Sequence, residues 1–247
     1  MRRFLTLAFV PWAALTMLLW AALVSVPILP FVVLPRGKRE RYAIQGARLF
    51  AWLSLHVSVF ARVQAEGREH LPRSPEGKGY LVVCNHRSWL DPALLILHAS
   101  AQGIAKKELV WVPFFGPNGY VSGGIFFDRK NPAERAKVVP EAMRLMQSGA
   151  KVHLFPEGTR SRDGHLREKV HLKLLIAAWE HGIDVVPACC WGTDEAAPAT
   201  SIGARPFQRV GVAFGAPLRR DAFANGTAYA EATWDQVKAL AAERGVA

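Results

Sequence analysis

The sequence predicts an α/β fold, a sheet flanked by helices, preceded by an apolar helical segment at the amino terminus. Three observations carry this expectation. From about Ala61 onward, short apolar runs alternate with helical stretches, the pattern of strands exchanging with helices around one sheet. Two of those runs stop abruptly in polar turns, at Asn85-His86 and at Pro156-Glu157-Gly158, and open α/β sheets build sites at the carboxyl ends of buried strands. Ahead of them, no charged residue occurs between Phe4 and Leu34. At 247 residues, 51% hydrophobic and 21% charged, the chain can bury one large core and carry an appendage. The division is expected at residue 60, with a helical hairpin over 1–60 and an α/β domain over 61–247.

The amino-terminal run exceeds the ~20 residues that cross a bilayer, and only Thr6, Thr16 and Ser25 in it are polar. It is too long for a signal peptide and is followed by no small-residue cleavage site. Pro11, Pro27, Pro30 and Pro35 argue against one straight span. Arg2 and Arg3 precede the run, and Arg36, Lys38, Arg39 and Arg41 follow it. Positive charge favours the cytoplasmic face. A broken or re-entrant hairpin places both flanks there, whereas a single span places one. Residues 42–60 add Leu49, Phe50, Trp52, Leu53, Leu55, Val57, Val59 and Phe60, with Arg48 and His56 beside them. That mixture suits an interfacial helix; a helix packed on the core of the following domain is the other reading.

Residues 62–65 begin the sheet, and a polar loop over 67–79 leads to an apolar strand over 80–84. Asp91-Pro92 opens a helix to about His98, with Asp91 placed to cap it. A strand over 103–107 precedes an aromatic, kinked stretch over 112–116, and another strand spans 125–128. Asn131 as cap, Pro132 and Glu134 start a helix that runs to Gln147 and stops at Gly149. A strand over 151–155, a helix over 170–181, strands over 184–188 and 208–214 and a terminal helix over 228–244 complete the pattern.

A formal net charge of +11 and a pI of about 10 call for an anionic partner. No nucleic-acid-binding module is recognisable, so the first 60 residues turn that expectation toward a membrane and phosphorylated ligands. Cys84, Cys189 and Cys190 have neither metal-ligand spacing nor an even disulfide framework, and read as small buried residues of a reducing compartment.

His86 is the first candidate for chemistry, because imidazole takes up and releases a proton near neutrality. Asp91, five positions on, can accept the other ring N–H and so fix the tautomer. A histidine in a turn beside a capping aspartate would look the same. The turn over 156–162, Pro-Glu-Gly-Thr-Arg-Ser-Arg, follows a second strand end 71 positions after the first, with Glu157 standing as far from His86, and the two strand ends can face one pocket. Together these segments resemble the glycerophospholipid acyltransferase family, its bacterial lysophosphatidate acyltransferases in particular. The first motif, Asn-His, four residues, Asp, is Asn85 to Asp91; the third, Phe-Pro-Glu-Gly-Thr-Arg-Ser, begins at Phe155. Gly123-Gly124-Ile125-Phe126-Phe127-Asp128-Arg129 looks like the second motif and Val185-Val186-Pro187 like the fourth. The resemblance covers roughly residues 60–215.

It implies a glycerophosphate acyltransferase-like sheet and an amino-terminal two-helix element lying in one leaflet, on the cytoplasmic face of a bacterial inner membrane. The implied reaction moves a fatty acyl group from acyl-CoA or acyl-carrier protein to the free hydroxyl of 1-acyl-glycerol-3-phosphate, giving phosphatidate, with no metal or cofactor. His86 is then the general base and Asp91 its orienter, and the acceptor hydroxyl attacks the thioester directly. Cys84 and Ser88 lie beside His86, but Cys84 falls inside the apolar strand and reads as inert. Asn85, Arg129, Glu157, Gly158, Thr159 and Arg160 are the implied substrate-binding residues. Arg129 and Arg160 each follow a strand and can grip a phosphate with paired N–H donors. Glu157 would align an arginine or accept the acceptor hydroxyl, and the N–H groups of Gly158 and Thr159 would serve an oxyanion or a phosphate. In one place the chain departs from the pattern. Many relatives follow the third motif with a Pro-Phe-Lys-Lys-Gly-like segment, where Leu166-Arg167-Glu168-Lys169-Val170 stands here. Lys169 or Lys173 is left as a stand-in, and other lyso-lipids, acylated amino acids included, remain open as acceptors. A hydrolase using the same His–Asp pair and a catalytically silent basic membrane-binding protein are the other classes.

Overall fold

A computed structural model describes residues 2–34, 38–73, 77–112, 116–161, 165–200 and 203–246. The expectations placed on Pro35, Arg36, Arg162 and residues 113–115 lie outside these.

Seven strands form one sheet: β1 (Arg62–Glu66), β2 (Leu81–Cys84), β3 (Ala101–Lys106), β4 (Ile125–Phe127), β5 (Lys151–Leu154), β6 (Val185–Trp191) and β7 (Arg209–Phe214). Their order is β1-β7-β6-β2-β5-β3-β4, and every neighbouring pair is parallel except β6–β7. Strands β2 to β6 therefore share one direction, and β1 and β7 run against them. The turns that leave β2, β4, β5 and β6 all emerge along one edge, as a site at strand carboxyl ends requires.

β2 shows why an unbroken apolar run becomes a central strand. Its side chains alternate between two cores, and both are dry. Val82 and Cys84 join Leu90, Leu94 and Leu95 of the segment leading into and through α3 (Asp91–Ala99), together with Ala51, Leu55 and Val59. Leu81 and Val83 face the other way, onto Met143 and Met146 of α5 (Pro132–Gln147), Leu175 and Ala178 of α6 (Lys173–Glu180), and Tyr229 and Trp234 of α8 (Gly226–Glu243). Asn131 caps α5 as its position predicts, accepting from the N–H groups of Ala133 and Glu134.

The amino-terminal segment is not broken in its middle. α1 (Arg2–Ile28) runs through Pro11, and a short 3-10 turn over Leu29–Val33 ends the rod just past Pro27. An interior proline forfeits one backbone hydrogen bond, and here the rod is held along its inner side by α2 (Lys38–Leu53). Ala21 and Val24 pack with Phe50, and Ile28 packs with Ala43 and with Val121 of α4 (Gly116–Val121). A π-helical turn over Ser54–Ser58 extends α2, and Ser58 accepts a 2.8 Å hydrogen bond from Thr16 of α1. Met17, Ala51, Leu55 and Val59 belong to the same apolar cluster as β2 and α3. The helix pair thus shares a core with the sheet, as the second reading of residues 42–60 expected for α2. Its other side is different. Leu15, Leu19, Leu23 and Val26 recur along one outward face of α1 and are exposed. Phe9–Phe31 is long and apolar enough to cross a membrane.

Three boundaries differ from expectation. α6 begins at Lys173 rather than at residue 170, because the His171 N–H is drawn back to the Pro156 carbonyl at 2.8 Å. β6 continues to Trp191, carrying both adjacent cysteines inside. Asp91 begins α3 without capping it, since its carboxylate is occupied by the turn that precedes the helix.

Candidate active site

After Cys84 the chain must turn away from the sheet edge, and Asn85 fastens that turn. The Asn85 side chain is 0% exposed. Its Nδ2 donates to the Cys190 carbonyl at 2.9 Å, and its Oδ1 accepts the Cys190 N–H at 2.7 Å. Both ends of the amide are spent joining β2 to β6. Asn85 was expected to bind substrate; in this structure its buried, doubly paired amide ties two strand ends together.

His86 and Asp91 meet as the spacing suggested. His86 Nδ1 lies 2.9 Å from Asp91 Oδ2. The same oxygen accepts the N–H groups of Arg87 and Ser88, each at 2.7 Å, and Oδ1 accepts the Thr193 hydroxyl at 2.5 Å. Four donors therefore converge on one wholly buried carboxylate. This fixes Nδ1 as the protonated nitrogen of a neutral His86 and leaves Nε2 with its lone pair, the arrangement a general base needs. Phe155 stacks on the imidazole, centroids 4.0 Å apart and planes 13° apart, which restrains the ring further.

Thr193 escaped the sequence reading. It lies 102 positions from Asp91, at the start of a single helical turn, α7 (Thr193–Ala196), just past β6. The neighbouring Gly192 adopts φ +69°, and a Cβ there would meet the Arg209 carbonyl oxygen at 2.1 Å. Only glycine makes that corner, so Gly192 was the available signal. Asp194 adds a second tie, accepting from Arg87 at 2.6 Å.

The turn after β5 closes on the same place. Glu157 is 4% exposed, and its Oε1 accepts the His86 N–H at 2.7 Å. The Ser161 N–H donates to the His86 carbonyl at 2.8 Å. Both backbone groups of His86 are thus held by one turn. Burial raises the Glu157 pKa to about 7, against the pull of the His86 and Arg167 backbone N–H groups. Glu157 was expected to align an arginine or accept a hydroxyl; Oε1 holds the backbone of the histidine, and Oε2 is buried without a hydrogen-bond partner. Gly158, at φ +70°, donates its N–H to the Phe155 carbonyl at 3.0 Å, so that donor is consumed in the turn. Thr159 is exposed.

Arg129 follows β4, and its Nη1 donates to the Gly158 carbonyl, which brings it onto the Glu157 turn. Arg160 is half-buried and makes no hydrogen bond or ion pair with another described residue. Lys169 and Lys173 are both exposed. Two possible nucleophiles are accounted for. Ser88 is buried and donates to the Ala197 carbonyl at 2.8 Å while accepting the Leu90 N–H. Cys84 is buried, with its Sγ 3.3 Å from Asn85 Oδ1 and 3.5 Å from Cys190 Sγ. No group of three or more His, Cys, Asp or Glu side chains among the described residues is arranged to hold a metal ion.

Comparison with known proteins agrees with this architecture. The solved structure of the 1-acyl-sn-glycerophosphate acyltransferase PlsC from Thermotoga maritima superposes with a TM-score of 0.80 at 24% identity, covering 98% of this chain and 97% of that one, which establishes the fold. A chloroplastic 1-acyl-sn-glycerol-3-phosphate acyltransferase of Arabidopsis thaliana is 34% identical over 175 residues, 70% of this chain and 48% of its own length. The human 1-acyl-sn-glycerol-3-phosphate acyltransferase alpha is 32% identical over 152 residues, 60% of this chain and 51% of its own. The chain spans about half the length of these curated relatives. The sequence model of the family described as Acyltransferase matches residues 62–191, from the first strand of the sheet to the last residue of β6, and with more than half its length inside that match this chain belongs to the acyltransferase family.

Proposed function

We propose that the protein transfers a fatty acyl group from an acyl thioester to the free hydroxyl of 1-acyl-glycerol-3-phosphate, producing phosphatidate. The observation that carries this reading is a histidine locked by a buried carboxylate and set against an arginine-bearing turn. The acceptor hydroxyl gives its proton to His86 Nε2 as its oxygen bonds to the thioester carbonyl carbon. The carbonyl electrons move onto oxygen and return as the C–S bond breaks, and the thiolate leaves with the proton from the imidazolium. Such a base contributes ~10²–10⁴ in rate. The buried, hydrogen-bonded states of Ser88 and Cys84 support direct attack without an acyl-enzyme. Arg160, with Arg129 reaching the Gly158 carbonyl of the same turn from the end of β4, supplies the cations for the acceptor phosphate. The names of the relatives support the same acceptor. The outward face of α1 holds the protein to a membrane where such lipids reside, with residues 1–60 as the attached part and the positive flanks on the cytoplasmic side.

Another lyso-lipid acceptor is the second reading, favoured by Leu166–Val170 standing where relatives carry a Pro-Phe-Lys-Lys-Gly-like segment. Detergent-solubilised protein given labelled acyl-CoA or acyl-carrier protein, with a panel of lyso-acceptors, tests both. Phosphatidate as the main product is expected. Equal rates on phosphate-free lyso-lipids would transfer the assignment to the second reading, and labelled free fatty acid alone would indicate a hydrolase.

A further inference from the structure

A cluster of basic groups lies well away from His86. α3 leaves the catalytic turn at Asp91 and runs nine residues, roughly 13 Å, to the opposite edge of the sheet. There the Ala99 carbonyl accepts from the hydroxyl of Tyr80, the residue before β2. His98, in the last turn of α3, has a buried Nε2 without a partner. Arg48 of α2 reaches the adjacent Leu97 carbonyl through Nε at 3.3 Å and Gln45 through Nη1 at 3.0 Å. His56 stacks on Trp52, which stands one helical turn beyond Arg48, and Arg68 lies near enough for its charge to act on both His98 and Tyr80. Burial and the charges of Arg68, His56 and Arg48 together push the His98 pKa down to about 4. No carboxylate among the described residues is hydrogen-bonded or ion-paired with any of the four. Arg48 and Arg68 thus bring positive charge to this edge with no ion-paired carboxylate among the described residues, while His98, neutral near pH 7, adds a buried, unpartnered ring nitrogen.

The same edge borders the apolar face. The Trp52 ring stacks on His56 with centroids 4.9 Å apart, and Trp12 Nε1 lies 3.4 Å from the Val57 carbonyl. Trp12 and Trp52 are 43% and 44% exposed, and Leu49, next to Arg48, is 52% exposed. Cations beside exposed tryptophan and leucine match the two halves of an anionic lipid, a phosphoryl group above acyl chains.

We propose that Arg48, His56, Arg68 and His98 form a second, non-catalytic site that binds the phosphoryl headgroup of an anionic phospholipid, its chains lying along Trp12, Leu49 and Trp52. The site rests on the membrane-facing reading of α1 and α2, and is independent of the acyl-transfer reading.

Native mass spectrometry of the full chain in neutral detergent, titrated with phosphatidylglycerol, phosphatidylcholine or inorganic phosphate, tests it. The wild type should retain one phosphatidylglycerol roughly tenfold more tightly than phosphatidylcholine. Arg48→Gln combined with Arg68→Gln should abolish that preference, and so should the exposed Arg68→Gln alone in part, where no loss of folding is at issue. Arg129→Ala combined with Arg160→Ala should retain it. An unchanged preference in the Arg48/Arg68 variant, or its loss in the Arg129/Arg160 variant, would overturn the site. Inorganic phosphate displacing the lipid at equal concentration would overturn the lipid as its ligand. Binding of the Arg48/Arg68 variant to phosphatidylcholine vesicles against high salt reports separately on the membrane-facing reading.

Discussion

The two turns that make the candidate site are built on opposite plans. The turn after β2 is closed: Asn85, Ser88 and Asp91 are fully buried, and each spends its polar atoms on the protein itself. The turn after β5 is buried only at its base. Glu157 is inside, Thr159 is exposed, and Arg160 keeps its guanidinium without a partner among the described residues. The difference separates two tasks. A base must be held still, because misplacement by about an ångström is costly in rate, whereas a ligand-gripping cation must keep its donors uncommitted until the ligand arrives.

The closed turn should fail completely when its chemistry is removed. His86→Ala is expected to lower kcat by ~10²–10⁴ while circular dichroism shows the fold intact, and Asp91→Asn should approach the same loss by releasing the tautomer. More than a tenth of wild-type turnover in His86→Ala would remove the histidine from the role of base. The open turn should fail selectively. Arg160→Ala and Arg129→Ala should each reduce acceptor kcat/KM by about 10–150-fold, the loss of a charge-assisted contact, with the donor KM almost unmoved. Arg129→Lys should recover part of this, since an ammonium keeps the charge without the fork. A fall in donor affinity instead would reassign the arginines to the donor's phosphates.

Thr193→Val sharpens the comparison inside the closed turn. Losing one hydroxyl donor to a buried carboxylate should cost roughly tenfold in kcat, with both KM values held and Thr193→Ser restoring most of the rate. Equal losses in the Val and Ser variants would mean that the threonine only packs. The smallest effect is on stability. Folded Glu157 keeps its proton up to about pH 7, while the unfolded chain releases it near 4.5. The contribution is therefore full below that lower pH and disappears as pH rises through about 7. Glu157→Gln, which cannot ionise, should be more stable than the wild type by on the order of 1–3 kcal/mol at pH 8 and indistinguishable from it near pH 4. Denaturant midpoints at the two pH values measure this.

How far the sequence could be read follows from how local each cause is. β2 is an uninterrupted apolar run, β5 joins Val152 and Leu154 to the apolar Phe155 just before a polar turn, and Asn131 capping α5 is decided within three residues, so these were legible. The His86–Asp91 pair was legible because five residues of chain suffice to make it. Thr193 was not, since its partner lies 102 positions away and only the strand order brings β6 beside β2. The pairing of Asn85 was hidden for the same reason: its partner, Cys190, lies on the neighbouring strand. The start of α6 depended on a carbonyl at Pro156, and the continuity of α1 through Pro11 on a packing partner, neither of which proline or helix propensity reveals.

One feature of the open turn carries further than binding. Glu157 and Ser161 grip the N–H and the carbonyl of His86, so the segment that bears Arg160 also positions the backbone of the base. If Arg160 holds the acceptor phosphate and His86 takes the proton, as proposed, the two are thermodynamically linked: whatever free energy the alignment of His86 contributes to phosphate binding, phosphate binding returns to the alignment of His86. On that reading an acceptor without its phosphate would meet a base less well held, and the penalty would appear in kcat as well as in KM. Selectivity of this kind resides in turnover, and a survey of acceptor affinities alone would underestimate it.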